Sequence, residues 1–122
     1  MKNRMIKTVT IILAITMLLL LTGCSTTENI KALQEAKFHN WSGETEYTYK
    51  QVMDMVMNNV SWSEYKEDEE IYIRVKGIEK STGNNIEIVY SKYGDTFKRE
   101  ATLVNGEDEG STYYNSMFTD IH

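Results

Sequence analysis

The sequence predicts an α+β domain: one or two N-terminal helices packed on a three- to four-stranded antiparallel meander, closed by a short C-terminal helix. Three observations predict it. Residues 49–59 carry apolar side chains at helical spacing behind a capping signal, residues 70–104 alternate with period two between turn-forming clusters, and residues 111–121 return to helical spacing. Runs of helix followed by a run of strands, rather than regular alternation of the two, place helices on one face of an antiparallel sheet.

The chain begins with an address. Lys2, Arg4 and Lys7 precede Val9 to Leu21, thirteen residues interrupted only by Thr10 and Thr16. Cationic residues ahead of an apolar run of this length are the two leading regions of an export signal. As a helix the run would rise about 20 Å, short of the roughly 30 Å hydrocarbon layer, so a cleaved signal fits better than the alternative, a permanent anchor. The run closes on Leu21-Thr22-Gly23-Cys24, which holds the single cysteine of the chain. A branched apolar residue, two small residues and a cysteine resemble the lipobox of bacterial lipoproteins. The resemblance implies cleavage between Gly23 and Cys24, lipidation of Cys24 and residence on the extracytoplasmic face of the cell membrane. Two acyl chains at about 0.8 kcal/mol per buried methylene hold far better than one.

Removing residues 1–23 from 122 leaves 99, room for one small domain. The three leading cations leave with them, so ten Lys and Arg face eighteen Asp and Glu, a net charge near −8. That balance argues against nucleic acid as a partner, since binding phosphate rests on Lys and Arg. With no cysteine after Cys24 the domain has no internal disulfide and no thiolate metal site, and depends on its core alone.

The expected organisation is a signal peptide at 1–23, a lipidated cysteine and spacer at 24–45, and the α+β domain at 46–122. Ser25-Thr26-Thr27-Glu28-Asn29 is small and polar, as a spacer should be. Ile30, Leu33 and Ala36 recur at helical spacing, so a short helix over 28–38, capped by Thr26 or Thr27, lies within it. Phe38 to Gly43 breaks the pattern.

Thr48-Tyr49-Lys50-Gln51 reads as a capping box. Tyr49, Val52, Met53, Val56, Met57 and Val60 follow on one helical face, and Asn58-Asn59 ends it. Met53, Met55 and Met57 suit core filling, with a soft-metal or adaptable peptide site as the alternative. Ile71, Ile73 and Val75 then alternate with Tyr72, Arg74 and Lys76 over 70–76, the mark of a half-buried strand. Ser81 to Asn85 turns the chain into Ile86, Ile88 and Tyr90, which oppose Glu87, Val89 and Ser91. Tyr93-Gly94-Asp95 turns it again, into Phe97, Arg99, Ala101 and Leu103. Ser111 is a candidate cap for a last helix with Tyr113, Tyr114, Met117, Phe118 and Ile121 on its inner face.

Chemistry is sparse in this pattern. The acidic runs Lys66 to Glu70 and Glu107 to Glu109 fall in predicted turns and lack the spacing of a calcium loop. His39 lies in the spacer and His122 ends the chain, poor places for a held base. There is no G-x-S-x-G elbow and no phosphate-cradling glycine loop. No cofactor and no catalytic residue is therefore expected. The candidate partner surface is Tyr72, Arg74 and Lys76, an amphipathic strip if that face of the strand looks outward.

Thr48, Gln51 and Val52, then Trp62, Gly77 and Gly94-Asp95-Thr96-Phe97, are similar in layout to small secreted or lipid-anchored domains of low-GC bacteria. They are also similar to beta-lactamase-inhibitor-like and outer-membrane-assembly lipoproteins, where a helix precedes a meander. The resemblance implies a non-enzymatic module that binds a protein or envelope component. An inhibitor or immunity protein presenting loop 81–85 or 105–110 is the alternative, followed by an envelope hydrolase or metal-dependent enzyme.

Overall fold

The computed structural model describes residues 26–121, so the expected signal peptide, Gly23 and Cys24 lie outside the described residues. Among the described residues the fold is α+β, with three helices and two antiparallel sheets of two and five strands. No described helix is long and apolar enough to cross a membrane.

Helix α1 spans Glu28–Glu35. Thr27 Oγ1 accepts the Ile30 amide at 3.1 Å, satisfying one orphan donor of the first turn. Ile30 and Leu33 point inward and are fully buried. The chain then turns extended at Ala36, whose carbonyl receives the Tyr49 amide at 3.0 Å. The helix ends three residues short of the expected residue 38, and a hairpin that the sequence pattern did not predict follows, β1 Lys37–Asn40 and β2 Gly43–Thr48. Thr45 Oγ1 donates to the Phe38 carbonyl at 2.9 Å, and Phe38 is fully buried. The boundary expected at residue 46 therefore does not separate spacer from domain. Ile30, Leu33 and Phe38 belong to the main core, so the packing extends into the expected spacer.

Helix α2, Tyr49–Val56, carries the capping box read from the sequence. Thr48 Oγ1 accepts from the Gln51 amide at 3.2 Å while Gln51 Oε1 accepts from the Thr48 amide at 2.8 Å. The helix stops three residues before its expected end. Met57 is already extended and opens β3, Met57–Glu67, with no loop between. Met57 stays buried because an inward residue at the end of a helix and one at the start of a strand point into the same core. Asn58 pairs with Ile78 and does not terminate the element; Asn59 and Val60 form a bulge in β3 opposite Gly77, with Asn59 at φ 56°.

Strands β4 Glu70–Glu79, β5 Asn85–Tyr93, β6 Thr96–Val104 and the short β7 Glu107–Asp108 complete a five-stranded meander in order β3-β4-β5-β6-β7, more strands than the sequence predicts. Ile73, Val75, Ile86, Ile88, Tyr90 and Val104 line the face that meets the helices. Simple alternation fails in β6. Tyr90 opposes Arg99 and Val89 opposes Ala101, so Glu100 is an extra residue. Phe97 and Arg99 share the core side with Tyr90, but beyond the bulge Thr102 and Val104 take it over and Ala101 and Leu103 pass to the far face. Gly77 is required by close approach: a Cβ there would lie 3.0 Å from the Met57 Cβ and 3.2 Å from the Asn58 carbonyl oxygen.

Helix α3, Gly110–Met117, begins one residue before its expected cap. Asp108 Oδ1 accepts the Gly110 amide at 2.9 Å and takes the role expected of Ser111. Tyr114, Phe118 and Ile121 are buried, and the Arg99 guanidinium lies 5.3 Å from the centre of the Tyr114 ring.

Candidate interaction surface

The far face of the sheet, opposite the helices, collects the residues expected to meet a partner. Cross-strand pairing places Tyr65 beside Tyr72 and Ser91, Ser63 beside Arg74, Val89 and Ala101, and Ser61 beside Lys76, Glu87 and Leu103. Tyr72, Arg74 and Lys76 thus share one face, as their alternation predicts. Only Lys76 is exposed; Tyr72 is 6% and Arg74 4% exposed. The strip is not the open amphipathic patch that the sequence suggested. Neighbouring strands of a twisted sheet bring flanking side chains over each other, and Tyr65, Tyr72, Val89 and Ala101 form a second small core.

Tyr65 and Tyr72 stack with ring centres 5.2 Å apart and planes 14° from parallel. Tyr72 donates to Glu70 Oε2 at 2.6 Å, and Arg74 Nε donates to Ser63 Oγ at 3.3 Å. Ser91 donates to Glu100 Oε2 at 2.6 Å. The Tyr65 hydroxyl and Glu87 Oε2 are buried without a hydrogen-bond partner among the described residues. Burial pushes the Tyr65 phenol far up, and the negative charges of Glu67 and Glu87 add to it while Arg74 opposes. Next to this cluster a shallow pocket of about 330 Å³ opens between Lys76, Glu87, Leu103 and the Asn105-Gly106 turn.

A second polar cluster lies at the far end of the sheet. Glu79 is 7% exposed, its carboxylate accepting from Thr82 Oγ1 at 2.7 Å and from the Tyr113 hydroxyl. Asn84 Nδ2 donates to Tyr113 at 3.1 Å, and Asn105 Nδ2 donates to Asn84 Oδ1 at 3.1 Å. These bonds join α3 to the 80–84 and 105–106 turns. The sequence pattern did not reveal them, because Glu79 and Tyr113 lie 34 residues apart and only the folded sheet brings them together.

The acidic run 66–70 is the β3–β4 turn, and the run 107–109 forms β7 and the residue before α3. Among the described residues no three His, Cys, Asp or Glu converge as metal ligands. His39 is on the β1–β2 hairpin, its Nε2 3.6 Å from an exposed Glu44 carboxylate. At the tip of that hairpin Trp41 is 72% exposed, a feature that sequence reasoning passed over. The only signal for it was the cluster Asn40-Trp41-Ser42-Gly43, in which Asn40 Oδ1 accepts the Ser42 amide at 2.9 Å. Comparison of the chain with protein families, with curated proteins and with solved structures finds no match.

Proposed function

We propose that this protein is a lipid-anchored binding module working at the extracytoplasmic surface of a cell membrane, with Cys24 as the acylated residue and a protein or envelope component as its partner. The observation that carries the reading is the short link between lipobox and fold. Thr27 is fixed by hydrogen bonds to Glu64 and to the Ile30 amide, and Asn29 Nδ2 donates to Glu64 Oε2 at 3.2 Å. Cys24 precedes Thr27 by three residues, a reach of about 10 Å at full extension. A lipid on Cys24 would hold the folded domain against the bilayer rather than at the end of a long tether.

Palmitate labelling and membrane fractionation test this reading. Wild type should incorporate label and sediment with membranes, and Cys24→Ala should lose the label and accumulate as unprocessed precursor. Label retained in Cys24→Ala would overturn the proposal.

An inhibitor-type role draws support from one feature. The exposed turns at 81–85 and 105–106 are tied side by side through Asn84, Asn85 and Asn105, including the Asn85 amide to Asn105 Oδ1 at 3.0 Å. Loops stiffened in advance lose less entropy on docking.

A further inference from the structure

The longest open edge of the sheet is β3. On the other side β7 pairs with Leu103 and Val104 at the end of β6, whereas eleven-residue β3 pairs only with β4 along its whole length among the described residues. Asp68 and Glu69 both have positive φ, 51° and 66°, so they form a two-residue type I′ turn between Glu67 and Glu70. That turn fixes the ladder: Glu67, Tyr65 and Ser63 exchange backbone bonds with β4, while Trp62, Glu64 and Lys66 direct their N–H and C=O groups away from it. An edge with this many unsatisfied groups is a template for another strand.

We infer that the β3 edge pairs with the β3 edge of a second copy, antiparallel about Tyr65, joining two five-stranded sheets into one. The charges select both partner and register. With Tyr65 on the two-fold axis, Glu64 of each chain lies opposite Lys66 of the other, and each of these pairs exchanges both backbone bonds. A slip by one residue sets outward-directed backbone groups against inward-directed ones, and a slip by two in either direction sets Glu64 against Glu64 or Lys66 against Lys66, like charges that are destabilising when directly opposite. The interface is isologous and closes on itself. On the axis the two Tyr65 rings extend the stacks that each makes with Tyr72.

The pairing does not depend on a lipid at Cys24, yet it is compatible with one. The axis runs perpendicular to the sheet. Glu64, which binds Thr27, lies on the helix-bearing face opposite core residue Ile73. Both Thr27 residues therefore lie on the same side of the joined sheet, and both anchors can enter one bilayer. Confinement there raises the effective concentration for pairing.

Charge exchange across the axis tests the inference on detergent-purified protein by sedimentation velocity, with far-UV circular dichroism as the control for folding. Wild type should associate reversibly to a dimer. Lys66→Glu, at an exposed position, should raise the dissociation constant by about tenfold or more, and Glu64→Lys should do the same. Mixing the two variants should restore a dimer, because the mixed pair sets two glutamates against two lysines. The inference is overturned if wild type remains monomeric up to its solubility limit, if folded Lys66→Glu dimerises like wild type, or if the mixture of folded variants stays monomeric.

Discussion

Glu69 is the residue whose local chemistry agrees least with its conformation. The type I′ turn needs positive φ at both central positions, and Asp68-Glu69 supplies it without a glycine. Asp tolerates the left-handed region through its short polar side chain; a glutamate gains no such compensation. Glu69→Gly should raise stability by about 0.5–1 kcal/mol, the relief of strain exceeding the extra freedom given to the unfolded chain. The urea midpoint should move up with an unchanged slope. A lower midpoint would mean that the glutamate side chain contributes more than its backbone costs. The same position shows why an acidic run is a weak functional signal. Its charge is what a tight, solvated turn accommodates, and among the described residues no set of ligands converges on it.

At the scale of the element, short-range signals were legible and long-range ones were not. The Thr48 capping box was readable because its two hydrogen bonds join residues three apart. Removing it should cost about 1 kcal/mol: Thr48→Ala leaves the Gln51 amide without its acceptor at the start of a helix only eight residues long. Thermal melting would show the loss, whereas Thr48→Ser should retain most of the stability; equal melting temperatures for Ala and wild type would deny the cap its role. The strand alternation around Ile71 to Val75 was equally legible, since period two is a local property. Three features were not. The end of α2 is invisible because Met57 satisfies helix and strand patterns alike. The Glu100 bulge changes which residues face the core without changing the sequence alternation before it. The β1–β2 hairpin depends on burying Phe38 among Tyr49, Tyr114 and Phe118, which are far away in sequence. The candidate surface failed for a related reason. Alternation correctly assigns Tyr72, Arg74 and Lys76 to one face, but their burial depends on neighbouring strands.

For the whole molecule, five aromatic rings tie every layer together. Phe38 from the hairpin meets Tyr49 of α2 at 5.0 Å and Phe118 beyond α3 at 4.9 Å, and Tyr49 meets Tyr90 of the sheet at 5.5 Å. Tyr90 and Tyr114 share a buried hydrogen bond of 2.7 Å between their hydroxyls. Burial pushes both phenols well above their ordinary value of 10, and it raises Tyr49 as well. Because the folded values exceed the unfolded one, these neutral phenols contribute their full stability below pH 10. The contribution falls as pH rises above 10 toward the folded values, since the unfolded chain releases those protons first. No disulfide is present among the described residues to restrain the chain once this happens. The protein should therefore unfold cooperatively in alkali. Tyrosinate absorbance should rise in two stages, accessible tyrosines first and the buried group only together with the loss of near-UV circular dichroism. If all eight tyrosines titrated in one smooth step with the near-UV signal intact, the Tyr90 and Tyr114 hydroxyls would be reachable by water in the folded state, and the aromatic core would not be the sealed joint between hairpin, helices and sheet.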